Sequence, residues 1–128
     1  MHDRHVPIRV VVADDVEDLR FLVRMAFEAD GDFEVVGEAA TGSQAIKVVA
    51  EQRPDVVVLD LDMPNMTGFE ALPFLRTQNP DTVVIVYSAF IIPGAVVEEL
   101  LRQGAAAVVP KDVTPRFLTE RVAAVLAA

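Results

Sequence analysis

"VVVLDLDMPNMTG", residues 56–68, opens on four consecutive apolar residues and then turns to Asp60, Asp62 and a Met-Pro pair. A run that is apolar at every position, rather than at alternate ones, belongs in a parallel sheet covered on both faces. A carboxylate is costly to bury there unless something pairs with it. Asp60, at the end of that run, therefore needs a reason.

The flanking sequence repeats one pattern. "IRVVVA" (8–13) is strand-like, and Leu19, Leu22, Val23, Ala26 and Phe27 follow at helical spacing. "FEVVGEA" (33–39) reads as a more polar strand nearer an edge. Thr41 and Gln44 have capping-box spacing before a helix carrying Ala45, Ile46, Val49 and Ala50. "DVVVLD" (55–60) is the third strand, and Thr67 and Glu70 form a second box before a helix with Leu72 and Leu75. Pro73 falls inside that helix and should bend it or delay its start. "TVVIVYS" (82–88) is the fourth strand. Pro93 suits the first turn of a helix with Val96, Val97, Leu100 and Leu101, and Gly104 its C-terminal cap. "AAVVP" (106–110) is a short fifth strand, and Thr114-Pro115 opens a last helix bearing Leu118, Val122 and Val125. Five strands alternating with five helices predict an α/β fold, a single doubly wound parallel sheet.

At 128 residues the chain suits one domain, with residues 1–7 as a polar tail and 8–128 as the folded unit. His2 and His5 belong to that tail and read as frayed terminus rather than metal ligands. The chain has no cysteine, which excludes disulfides and thiolate metal sites and fits a reducing compartment. The opening "MHDRHVP" lacks an apolar signal core, and the apolar runs fall far short of the ~20 residues of a membrane span. A soluble protein with no membrane contact is expected. Net charge is −9, from 20 acidic and 11 basic residues, which argues against direct nucleic-acid binding.

In doubly wound sheets, ligands sit beyond the carboxyl ends of the strands. Strand one ends at Asp14-Asp15, strand three at Asp60, strand four at Ser88, and strand five is followed by Lys111. All five side chains should therefore converge on one edge. Two carboxylates about 4 Å apart repel by roughly 4 kcal/mol at an effective dielectric near 20, so a cation must offset three of them. Lys111 supplies one charge. With oxygen ligands and no Cys or His, Mg2+ is the natural second. A cation, an ammonium and a hydroxyl around a carboxylate suit phosphoryl transfer, with Asp60 as nucleophile forming an aspartyl phosphate.

Over essentially its whole length the sequence resembles the receiver domain of bacterial two-component response regulators. The matching stretches are "VVADDVED" (11–18), "VVLDLDMPNMTGFE" (57–70), "VIVYSAF" (84–90), "GAAAV" (104–108) and "PKD" (110–112). The resemblance implies a flavodoxin-like receiver fold over 8–128, with Asp60 as phosphoacceptor. It implies Mg2+ held by Asp14, Asp15, Asp60 and the backbone carbonyl of Asp62. Ser88 matches the hydroxyl that closes on the phosphoryl group, and Lys111 the lysine that pairs with it. A sensor histidine kinase or phosphotransfer protein is the implied donor, in the cytoplasm. The implied recipient of the signal is an output protein, or an output domain linked to the receiver but outside this chain. The protein is then a signalling phosphoacceptor rather than an enzyme with a separate substrate.

The sequence departs from the family pattern at three places. Val108 stands where the family has Tyr or Phe, so the aromatic half of the usual switch is missing, and Tyr87 points to the wrong face to replace it. "AFIIPG" (89–94) is one residue longer than usual and apolar where the family is polar. Asp112 replaces the proline that often follows the lysine, so a trans bond is expected there. The resemblance implies that Asp62 and Phe90, two positions after Asp60 and Ser88, set the lifetime of the phosphoryl group, with Phe90 expected to shield it from water. A second reading is a phosphorylation-independent pseudo-receiver, binding partners through the face of the fourth helix, fifth strand and fifth helix and the apolar 90–94 loop. A third, a Mg2+-dependent phosphatase with Asp62 as general acid, lacks a cap domain.

Overall fold

The computed structural model describes residues 6–89 and 92–128; the expectations for His2, His5, Phe90 and Ile91 lie outside the described residues. Strands β1 (Ile8–Ala13), β2 (Phe33–Ala39), β3 (Val56–Leu59), β4 (Val83–Ser88) and β5 (Ala105–Pro110) alternate with helices α1 (Glu17–Asp30), α2 (Gly42–Gln52), α3 (Gly68–Gln78), α4 (Gly94–Arg102) and α5 (Pro115–Ala127). All neighbouring strands pair in parallel, in the order β2-β1-β3-β4-β5. The polar β2 is at an edge, and β3, buried at all four positions, is central. The fold is the doubly wound α/β sheet that the alternation predicts.

Two cores form because both faces are covered. Val11, Val57, Leu59, Val84 and Val86 point to α2, α3 and α4. Val10, Val12, Val58, Ile85 and Tyr87 point to α1 and α5, where Phe27 and Phe33 meet edge to face with ring centroids 5.0 Å apart. Fully burying a side chain such as Phe27 or Leu72 contributes about 1.5–3 kcal/mol each, which supports a sheet that ends in charge.

Both edge strands carry a bulge. Val10 pairs with Val35 but Val11 with Gly37, so Val36 is the extra residue. A Cβ on Gly37 would lie 2.6 Å from Val48 Cγ1, so glycine lets α2 pack close to the bulged strand. Val84 pairs with Ala105 but Ile85 with Ala107, which makes Ala106 extra. That insertion reverses the alternation along β5, a change invisible in "GAAAVVP".

The caps follow the sequence, with one difference. Thr67 and Glu70 form the full reciprocal box at α3. At α2, Thr41 Oγ1 accepts from Gln44 N, but Gln44 Oε1 accepts from Ala40 N rather than Thr41 N. Thr114 caps α5, with Pro115 at its first position. Pro93 is the cap of α4 rather than its first residue, and Gly104 follows at φ +108. Pro73 does not delay α3, which starts at Gly68. The proline lies on the exposed side, where water can satisfy the Phe69 carbonyl deprived of its donor.

Candidate functional site

The strand order reverses between β1 and β3, and the site is built there, at their carboxyl ends. Asp60 N–H donates to Ala13 O at 3.0 Å, and Asp14 N–H donates to Ala39 O at 2.9 Å, so the sheet ladder continues into both acidic residues. Asp14 and Asp60 are each only 3% exposed, whereas Asp15 faces solvent. One carboxylate oxygen from each of Asp14, Asp15 and Asp60 lies within 4.8 Å of the other two. Of the five side chains expected to converge, the three carboxylates do so.

Lys111 bridges the two buried carboxylates. Its Nζ donates to Asp14 Oδ2 at 2.6 Å and lies 3.3 Å from Asp60 Oδ2. The other Asp14 oxygen, Oδ1, accepts from Val16 N, and Asp60 Oδ1 accepts from Asp62 N at 3.2 Å. Arg20 donates to the Asp14 carbonyl at 2.7 Å. Burial is the main cause that pushes the Asp60 carboxyl from 3.8 up to about 6; Lys111 opposes the shift and Asp14 adds to it. One ammonium does not neutralise the cluster. All donors here are hard oxygens, so the residues fit a divalent cation such as Mg2+.

Ser88 is buried at the end of β4, and its carbonyl accepts from Lys111 N at 2.7 Å. This bond ties the β5–α5 turn to the end of β4, beside the acidic cluster. Asp62 is exposed, and its N–H, through the bond to Asp60, is the part of it the geometry places. Among the described residues no peptide bond is cis, so Lys111–Asp112 is trans as expected.

Val108 packs against the core that includes Val86, its partner across the β4–β5 ladder, while Tyr87 belongs to the opposite core. The bulge at Ala106 is what puts Val108 on that face. Beside it lies a groove of about 470 Å³ lined by Ala89, Ile92, Val97, Val108, Pro110 and Asp112 among others. Tyr87 is not idle on its own side. Its hydroxyl donates to Val113 O at 3.2 Å, and the Lys111 ammonium sits 5.7 Å from its ring centroid. Burial, followed by the charges of Asp14 and Asp112, raises the Tyr87 phenol above its ordinary value. The sequence offered no sign that Tyr87 supports the lysine turn, or that Arg20 and Val16 hold Asp14, because these contacts depend on where two loops meet.

A family profile described as the response regulator receiver domain matches residues 10–123. The transcriptional regulatory protein YhcZ of Bacillus subtilis is 40% identical over 113 residues, which is 88% of this chain and 52% of that protein. A protein-glutamate methylesterase/protein-glutamine glutaminase of Rhodospirillum centenum is 39% identical over 114 residues, 88% of this chain but 29% of that protein. The chain thus spans about half or less of these relatives. The crystal structure of the response regulator domain of Thermotoga maritima CheB superposes with a TM-score of 0.84 at 32% identity, covering 96% of each chain. Among the described residues no helix is long and apolar enough to cross a membrane.

Proposed function

The chain belongs to the response regulator receiver domain family, and from that premise we propose that Asp60 accepts a phosphoryl group and that its charge controls partner binding. The observation that carries this reading is the cluster of Asp14, Asp15 and Asp60 at the switch point of the sheet, bridged by Lys111. A domain with only a structural role has little reason to bury carboxylates that repel one another.

The donor is a phosphohistidine on a sensor histidine kinase or phosphotransfer protein. An Asp60 oxygen bonds to phosphorus as the bond from phosphorus to the imidazole nitrogen breaks. The electron pair stays on that nitrogen, and the ring regains its proton balance from solvent. Asp14, Asp15, Asp60 and the Asp62 carbonyl would hold Mg2+, which would supply positive charge to the phosphoryl oxygens. Lys111 offsets the charge that Asp60 gains, and the Ser88 hydroxyl donates to a phosphoryl oxygen. Phosphorylation then shifts a two-state equilibrium that an output protein or linked output domain reads. Residues 8–128 are the functional unit, in the cytoplasm where such kinases deliver phosphate. The exposed apolar residues Val16, Phe21, Leu22 and Met25, on and beside the helix that follows Asp14 and Asp15, offer the donor a surface. Asp62 and Phe90 set how fast water removes the phosphoryl group.

A phosphorylation-independent interaction module is the second reading, and Val108 favours it. β5 carries no aromatic ring to swing into the groove beside Val108. One experiment separates the two. The protein is incubated with Mg2+ and a small acyl phosphate, and its intact mass is taken, with Asp60→Asn as control. A single phosphoryl adduct that requires both Mg2+ and Asp60 is expected. Folded protein that stays unmodified with acyl phosphate and with histidine-phosphorylated donors would leave the second reading.

A further inference from the structure

The loop from Asp60 to Thr67 carries two consecutive non-glycine residues in left-handed backbone, Asn65 at φ +48 and Met66 at φ +91. Such conformations persist only where the surroundings hold them. Much of that hold comes from outside the loop. Gly42 N–H, at the first position of α2, donates to Met66 O at 2.8 Å, and Ser43 Oγ donates to Asn65 O at 3.0 Å. A Cβ on Gly42 would lie 2.2 Å from Met66 O, so the approach requires glycine.

The same short segment also reaches the other acidic arm, because Ala39 O accepts from Asp14 N. Gln44 stiffens it, giving its N–H to Thr41 Oγ1 and taking the Ala40 N–H on Oε1. Residues 39–44 therefore touch both arms of the site while contributing no carboxylate to the cluster. At the far end of the loop, Gly68 N–H donates to Leu61 O at 3.1 Å, and a Cβ on Gly68 would lie 2.2 Å from Asp60 O. The loop is pinned at both ends, with Asp62 between them.

We infer that Gly42 and Ser43 are positioning residues: by holding Asn65 and Met66 they fix the path of the loop past Asp60, and with it the affinity of the site for a divalent cation. The inference rests on the reading that this cluster takes Mg2+. Removing groups that orient ligands from behind commonly lowers metal affinity 10- to 100-fold. An exposed hydroxyl bond should do less than a displaced backbone.

The test compares Gly42→Ala, Ser43→Ala and Ser43→Thr with the wild type. Mg2+ affinity is read by titration calorimetry, backbone amide resonances without metal by NMR, and folding by urea titration. Gly42→Ala should weaken Mg2+ binding about tenfold and Ser43→Ala measurably less. Ser43→Thr, which keeps the donor, should restore binding. Without metal, the amides of 61–66 should shift in both alanine variants. Lowered stability with unchanged Mg2+ affinity would overturn the inference, as would amide shifts confined to 41–44. If Gly42→Ala does not fold, the Ser43 pair decides. A wild type that binds no Mg2+ would sink the metal reading by itself, and the positioning role with it. Loop amides that do not move while the wild type still binds Mg2+ would sink the positioning role alone.

Discussion

Replacing Asp60 by Asn should make the metal-free protein more stable at neutral pH, although it removes the proposed phosphoacceptor. The folded-state pKa of Asp60 is about 6 against 3.8 for an unperturbed carboxyl. A raised carboxylate pKa means that the folded state binds more protons than the unfolded chain between those values. Stability therefore falls as pH rises from about 4 through about 6. A shift of roughly two units corresponds to about 3 kcal/mol once Asp60 is fully ionised. Asn keeps the size of the side chain and an oxygen for the Asp62 N–H, so it should recover most of that.

The assay is urea denaturation of both proteins in EDTA at pH 4 and at pH 8. Other carboxylates titrate in this range, but most do so equally in the two proteins and cancel in the difference. Near pH 4 the two should differ little, and at pH 8 the variant should be more stable by about 2–3 kcal/mol. For a domain of this size the melting temperature should rise by roughly 10 °C. Mg2+ should close most of that gap. At about 100 times its Kd it adds about 2.7 kcal/mol to the wild type and much less to a variant lacking the central ligand. A variant less stable than wild type at pH 8, or a difference independent of pH, would refute the argument that burial strains Asp60.

Two other substitutions test the same charge geometry and the fold that carries it. Lys111→Gln removes the ammonium bridging Asp14 and Asp60; it should cost about 3–5 kcal/mol at pH 8 and less near pH 5, where Asp60 is largely protonated, as urea titrations at both values would show. Thr67→Ala removes the side chain that accepts from Glu70 N at α3 and should lower stability by about 1 kcal/mol at every pH, read as a parallel drop in urea midpoint.

The sequence made some parts of this structure legible and hid others for definite reasons. Strand positions could be read because uniformly apolar runs have one use in a parallel sheet, and the ends of those runs placed Asp14, Asp60, Ser88 and Lys111 on one edge. Capping boxes could be read because they are local. The extra residue at Ala106 could not, since three alanines in a row carry no pattern to shift. That insertion nevertheless decides which β5 side chain faces the same way as Val86. The link from Gly42 and Ser43 to Asn65 and Met66 was equally hidden: Gly42 and Ser43 lie inside the spacing of the α2 capping box, and nothing in the 60–67 loop announces left-handed backbone at Met66. Local and periodic features survive in one dimension; contacts between loops do not.

The site also explains why so short a sheet is so uniformly apolar. Burying Asp60 beside Asp14 opposes folding mainly because the carboxylate loses water, and Lys111 offsets only part of that cost. The excess must come from packing, which is why Val56, Val57, Val58 and Leu59 are all buried immediately before Asp60. It also has a consequence for control. A cation or a change of charge at Asp60 relieves or alters a strain that reaches β1, β3 and the β5–α5 turn through Asp14, Asp60 and Lys111. Relieving charge with Asp60→Asn and loosening the loop with Gly42→Ala should therefore move stability in opposite directions while both weaken cation binding. Asp60→Asn thereby isolates the site's electrostatic demand, because general damage to the fold would lower stability and binding together, whereas for Gly42→Ala the metal-free amide shifts at 61–66 separate a moved loop from general damage.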